Sequence, residues 1–185
     1  METINRKFFG VSVLFAALSG SCFADPTSSY AGQEARELKA LLPEDVQSYL
    51  AGKGMGMAKA AELNGYPGPA HVLSLAEALV LTPEQKERTT ALFKAMETRA
   101  IALGQTLIEK EKQLDMAFAE KSVDRSSLER MLQQIAATQA QLRLAHLDAH
   151  LQQVRILSLE QIARYNDLRG YGKPTSPTPH AGHAP

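Results

Sequence analysis

Apolar residues recur along the second half of the chain at the period of a helix. Between Pro83 and about Glu120, Leu92, Met96, Leu103, Leu107, Leu114 and Phe118 follow one another at spacings of four and seven. The repeat returns after a short gap. Leu128, Leu132, Ile135, Leu142, His146 and Ala149 mark one face, while Leu144, Leu147, Leu151 and Val154 widen the apolar arc beyond what one neighbouring helix can cover. Each helix has a start signal. In Leu81-Thr82-Pro83-Glu84-Gln85 the Thr82 hydroxyl is suited to cap, Pro83 takes the first helical position and Gln85 can reach back to the cap amide. Leu157-Ser158-Leu159-Glu160-Gln161 repeats this logic with Ser158 and Gln161, opening a final helix that stops at Gly170. Between the long helices, residues 121–124 break the pattern; Asp124 or Ser126 can cap the second long helix, with Glu129 completing a box from Ser126. So short a break predicts an antiparallel hairpin with arms of roughly 50 Å at 1.5 Å per residue. The expected fold is therefore all-α: a long antiparallel helical hairpin with shorter flanking helices. Its surplus apolar stripe needs a cover, either the N-terminal arm or a second copy, and a homodimer is the expected solution.

The flanks read differently. Arg6 and Lys7, the apolar run at residues 8–18 and the small residues up to Ala24 have the form of an export signal cut before Asp25, which predicts a periplasmic protein. That run is shorter than the roughly 20 residues a bilayer span needs, so no stable membrane insertion is expected. Residues 25–69 form an arm with helix-like pieces at residues 33–41 and Pro43–Leu50, interrupted by Gly52, Gly54 and Gly56 and closed by the turn Asn64-Gly65-Tyr66-Pro67-Gly68-Pro69. The body spans residues 70–172 and begins with a short helix at residues 71–81. Residues 173–185, proline-rich and carrying His180 and His183, read as a disordered tail.

Composition narrows the function by exclusion. Twenty basic residues balance twenty acidic ones, so no nucleic-acid partner is implied. The single cysteine, Cys22, lies in the leader, which removes disulfides and thiol chemistry from the exported chain. No nucleophile, histidine and acid set stands in a known local context, Gly52, Gly54 and Gly56 lack the Lys-Ser/Thr of a phosphate loop, and no carboxylate pair stands out from a solvated helix face. The protein is expected to bind rather than catalyse, with no required cofactor.

His146 and His150 are the sharpest chemical feature. Four residues apart, they stand one turn apart on one helix face, a spacing that lets two imidazoles share Zn, Ni, Co or Cu. The plainer reading is two half-buried histidines hydrogen-bonded to neighbours. A metal site needs a third ligand, from His71, Glu77, Asp148, a methionine or a partner chain; Asp148 points away on a regular helix, and His71 is preferred. The tail pair His180 and His183 is a further candidate. Met55 and Met57 fit either soft ligation or adaptable packing.

LTPEQ at residues 81–85, LSLEQ at residues 157–161 and the amphipathic helices between them, behind an export signal, resemble the Spy/CpxP family of bacterial periplasmic proteins. That family is named for paired LTxxQ motifs and includes zinc resistance-associated and cobalt-nickel-sensing members. The resemblance covers roughly residues 70–172 and departs from the motif only by Ser158 for Thr. It implies a bent hairpin that dimerises into a shallow cradle and acts as an ATP-independent chaperone, an envelope-stress regulator or a metal sensor. The charge balance departs from the basic cradle of chaperone members. On this basis the expected partner is unfolded or misfolded polypeptide, or a membrane-bound regulator, held on Leu103, Leu107, Leu144, Leu147 and Leu151. The alternative is a periplasmic heavy-metal sensor or resistance protein using His146, His150 and His71.

Overall fold

In the computed structural model, which describes residues 27–171, the regular elements are helices: α1 (Pro43–Leu50), α2 (Lys59–Glu62), α3 (Pro69–Ser74), α4 (Pro83–Ala119), α5 (Arg125–Val154) and α6 (Leu159–Leu168). No strand occurs among the described residues. The leader, with Cys22, and the tail, with His180 and His183, lie outside them. The chain divides into two units, residues 1–35 and 36–185, and all six helices belong to the second. Of the first, residues 27–35 run through successive turns, Ala31 N–H donating to the Ser28 carbonyl at 3.0 Å.

Helices α4 and α5, 37 and 30 residues long, form the hairpin. Ala100, Leu107, Ile135 and Leu142 make its buried seam. Thr89 and Gln153 are fully buried across it, the Gln153 amide donating to the Thr89 hydroxyl at 3.1 Å. The turn between the helices places Lys121 in the left-handed region (φ 54°) and starts α5 from Asp124, whose carboxylate accepts from Ser127 N–H at 2.7 Å. The cap is thus the Asp124–Ser127 pair and not Ser126 with Glu129. The carboxylate outcompetes a hydroxyl two residues later because it accepts charge-assisted bonds, and Ser126 instead accepts from Arg130 at 2.9 Å.

The short helices cover part of the hairpin's apolar surface. α1 lies against α4, while α2 and α3 reach α5, and Tyr49 and Met57 pack on the hairpin seam. Gly104 has its reason here: a Cβ at that position would sit 2.6 Å from the Tyr49 carbonyl oxygen, so the missing side chain is what lets the end of α1 touch α4. The helix expected at residues 33–41 does not form: residues 34–35 are a turn and residues 37–41 are bends. Glu37 and Lys39 pair instead with Lys112 and Asp115 of α4, at 3.4 and 2.8 Å, and Leu38 is buried. A stretch so short cannot offset the cost of helix nucleation against these tertiary contacts. The helix expected at residues 71–81 is likewise shortened to α3, with turns following up to Val80, which adopts a left-handed φ of 50°.

The two capping motifs do more than start helices. Gln85 N–H donates to Thr82 Oγ1 and Thr82 N–H to Gln85 Oε1, both at 3.1 Å; Ser158 and Gln161 form the same box at 2.9 and 3.1 Å. The two glutamine amides then bond each other reciprocally, Gln85 Nε2 to Gln161 Oε1 at 2.8 Å and Gln161 Nε2 to Gln85 Oε1 at 2.9 Å. Their remaining N–H groups donate to the Ile156 carbonyl at 2.9 Å and the Leu79 carbonyl at 3.2 Å. Every donor and acceptor of both amides is used, and the open end of the hairpin is closed over a second cluster of Val72, Leu79, Leu157 and Tyr165, with Leu81 packed against it.

Gln85→Glu keeps the cap acceptor but deletes both donations and sets a carboxylate against Gln161 Oε1 and the Ile156 carbonyl. It should cost about 3 kcal/mol, roughly 9 °C in Tm, measured by thermal circular dichroism. Gly104→Ala, although better for an isolated helix, should destabilise by about 2 kcal/mol in the same measurement, because backbone at Tyr49 cannot yield.

Candidate functional site

One buried carboxylate gathers the ends of the shorter helices. Glu62, 8% exposed, closes α2; Gly65 turns the chain, and Pro69 at the first turn of α3 redirects it so that His71 Nδ1 lies 3.1 Å from Glu62 Oε1. From α6, the Tyr165 hydroxyl donates to the same oxygen at 2.5 Å. The chain then ends α6 in a Schellman motif: Gly170, at φ 72°, donates to the Asp167 carbonyl, and Tyr171 N–H to the Asn166 carbonyl at 2.8 Å. That left-handed turn brings the Tyr171 hydroxyl back to Glu62 Oε1 at 3.2 Å. Arg169, its guanidinium 5.6 Å from the Tyr171 ring centre, places Nε 3.4 Å from Oε1.

The cavity beside this carboxylate measures about 680 Å³ and is lined by His71, His146, His150, Glu62, Met55 and Met96 among others. α5 delivers His146 and His150, both buried, one turn apart. His150 Nδ1 lies 2.7 Å from the Tyr66 carbonyl, which can only accept, so Nδ1 carries a proton and, in the neutral ring, Nε2 has the lone pair. His71 Nδ1 is likewise committed to the Glu62 carboxylate, which leaves Nε2 as the ring nitrogen without that bond. His146 Nε2 is buried without a hydrogen-bond partner. Gly68 is required by this packing, since a Cβ there would meet His150 Cε1 at 2.8 Å.

Electrostatics keep these groups in usable forms. Burial alone would push the Glu62 carboxyl up, but the Tyr165 hydrogen bond, the nearby His71, the Tyr171 hydrogen bond and His150 outweigh it and hold Glu62 below the usual carboxylate range. Burial, and then the bond to Glu62, push the Tyr165 phenol far up, so it stays a proton donor. Burial, with His150 adding to it, lowers the His146 imidazole below its ordinary value and favours the neutral form that a metal ion requires.

The structure therefore brings His71, His146 and His150 to one cavity. Glu77 and Asp148 do not line it, and the Asp148 carboxylate accepts from Gln152 Nε2 at 2.7 Å. Met55 lines the cavity from a left-handed position (φ 45°), whereas Met57 packs on the hairpin seam. Neutral imidazoles, a carboxylate and a thioether suit a borderline divalent ion, and two buried atoms at the cavity, His146 Nε2 and Glu62 Oε2, have no hydrogen-bond partner. Among the described residues no three His, Cys, Asp or Glu side chains already surround a common point, so holding an ion calls for the imidazoles to turn toward the Glu62 carboxylate. Glu62, Tyr165 and Tyr171 are not legible as site residues in the sequence; a lone glutamate between Ala61 and Leu63 carries no motif.

The leucines expected to form a client surface divide. Leu107 is fully buried in the hairpin seam and presents no surface, a correction that follows from its place between α4 and α5; Leu103 is half-buried and packs on the same seam. Leu144 and Leu151 are exposed, 48% and 50%, with Leu147 half-buried between them.

No curated protein and no solved structure matches the chain. A family model described as heavy-metal resistance matches residues 46–164, which takes in α2 and α3 as well as both long helices and most of α6. With that match covering more than half of its length, and with capped helices folded into a hairpin, the chain belongs to the heavy-metal resistance family, within the Spy/CpxP-like helical superfamily.

Proposed function

We propose that the protein is an exported heavy-metal-binding protein that holds a borderline ion, zinc, nickel, cobalt or copper, with His71, His146, His150 and the Glu62 carboxylate. The observation that carries this reading is the convergence on one cavity of three histidines, two of them with Nδ1 committed to an acceptor, and a buried carboxylate. Each imidazole would supply a neutral nitrogen, and Glu62 would offset part of the ion's charge in a site with little water. Family membership supports the same direction. Periplasmic placement is part of the proposal and rests on the leader-like residues 1–24 and on the family; no helix among the described residues is long and apolar enough to cross a membrane.

Calorimetric titration of the purified protein with zinc, nickel and cobalt chloride at pH 7.5 should give saturable binding. A His146→Ala, His150→Ala double variant should bind more than about 100-fold more weakly, since even loss of groups that only support a ligand costs up to that much. Absence of saturable heat in the unaltered protein removes the reading.

A second reading, an ATP-independent chaperone, is favoured by Leu144 and Leu151. They stand seven residues apart on the outer side of α5 and would take up non-native polypeptide by reversible burial of apolar surface. An equimolar amount of the protein should then slow aggregation of a chemically denatured client, and Leu144→Ser with Leu151→Ser should abolish the effect. A client that aggregates at its own rate in the presence of the unaltered protein ends this reading.

A further inference from the structure

The contacts of the Glu62 carboxylate are lopsided. Oε1 takes the Tyr165 hydroxyl at 2.5 Å, His71 Nδ1 at 3.1 Å, the Tyr171 hydroxyl at 3.2 Å and Arg169 Nε at 3.4 Å. Oε2, equally buried, has no hydrogen bond. Its nearest ionisable neighbour, His150 Nδ1, is 3.7 Å away and already committed to the Tyr66 carbonyl. An oxygen with about two lone pairs and four cationic or donor neighbours has no capacity left for a further ligand, whereas a buried carboxylate oxygen left unpaired is costly. Beside that oxygen the chain keeps space open. The position a Cβ would take at Gly68 lies 3.5 Å from Glu62 Oε2 and 3.0 Å from His150 Nε2, so glycine leaves clear the ground that borders both free lone pairs.

We infer that Tyr165, Tyr171 and Arg169 are positioning residues for the metal site: by occupying Oε1 they fix the Glu62 carboxylate so that Oε2 is the atom it offers to an ion. This rests on the reading of the cavity as a metal site and adds to it the part played by the C-terminal end of α6. The clamp acts in two ways. It holds the carboxylate in one rotamer, and it leaves Oε2 as the oxygen without a protein partner, as hydrogen-bonded partners of ligating groups do. The Schellman turn at Gly170 belongs to the same device, since it aims Tyr171 at Glu62. The opposite sign is also physically available: if an ion had to take Oε1, the clamp would compete with it, and weakening the clamp would tighten binding.

The test uses the full exported chain with cobalt(II) as the probe, its visible spectrum reporting the ligand set and competition with a chelator reporting affinity. Tyr171→Phe and Tyr165→Phe each remove one hydroxyl and should weaken cobalt binding by about 10- to 100-fold. The cobalt bands of the bound form should change as the carboxylate is replaced by water, an effect that loss of fold stability alone does not produce. If Tyr165→Phe fails to fold, Tyr171→Phe, at the margin of the site, decides alone. Arg130→Gln, twenty residues before His150 on α5 and about 30 Å away along the helix, is a control for a hydrogen-bonding side chain lost far from the site and should bind as the unaltered protein does. Equal or tighter binding by Tyr171→Phe with an unchanged spectrum overturns the positioning role and leaves the metal reading standing. An unaltered protein that takes up no cobalt, zinc or nickel overturns the metal reading, and this inference with it.

Discussion

Taking a carboxylate out of water costs several kcal/mol unless its charge is answered locally, and this chain places one at the point where its short elements meet. Glu62 belongs to α2, His71 to α3, His150 to α5, Tyr165 to α6, and Arg169 and Tyr171 to the turn that ends it. None of the shorter helices is long enough to be stable alone. Their positions are therefore set by what they bury and by this charge, which ties the arm to the hairpin and the C-terminal helix to both. A structure built around a buried ionised group has a defined geometry there, because few arrangements of the neighbours satisfy it.

The hairpin contributes rigidity and the arm contributes shape. Two long helices seamed by Ala100, Leu107, Ile135 and Leu142 leave a surface on which a third layer must sit. Gly104 lets α1 descend onto α4, while Gly54 of the glycine-rich loop and Gly68 of the turn before α3 bring backbone close to His146 and His150. The cavity is thus what remains when a short, irregular segment is drawn over a smooth helical pair and anchored at Glu62. A neutral His146 and an ionised Glu62 coexist within it because hydrogen bonds support the charge of one and nothing supports a charge on the other.

How much of this is legible in the sequence depends on whether the cause is local. Thr82 and Ser158 are legible because a cap, its partner three residues on and the apolar repeat all lie within one short window. The choice between Asp124 and Ser126 is less so, since Asp124, Ser126 and Ser127 crowd three capping groups into four positions and only their competition settles the start. Residues 33–41 carry a helical pattern that does not form, and Glu37 and Lys39 within it pair instead with α4 residues some 75 positions away. Spacing alone singles out His146 and His150, and the need for a third ligand points to His71. Glu62 stays hidden, because its importance lies in partners up to 109 residues distant. Leu107 is misread as surface for a related reason: periodicity identifies an apolar face but not which of two apolar faces is turned inward.

The glutamine ring between the two motifs has a consequence for descent. Each amide fills the other's bonding capacity, so neither half tolerates independent drift: a change on one side leaves its counterpart with stranded groups. Lineages of this fold should inherit Gln85 and Gln161 as a couple, retained together or replaced together, and the twin motif is then better understood as a single clasp written in two places than as a duplicated start signal.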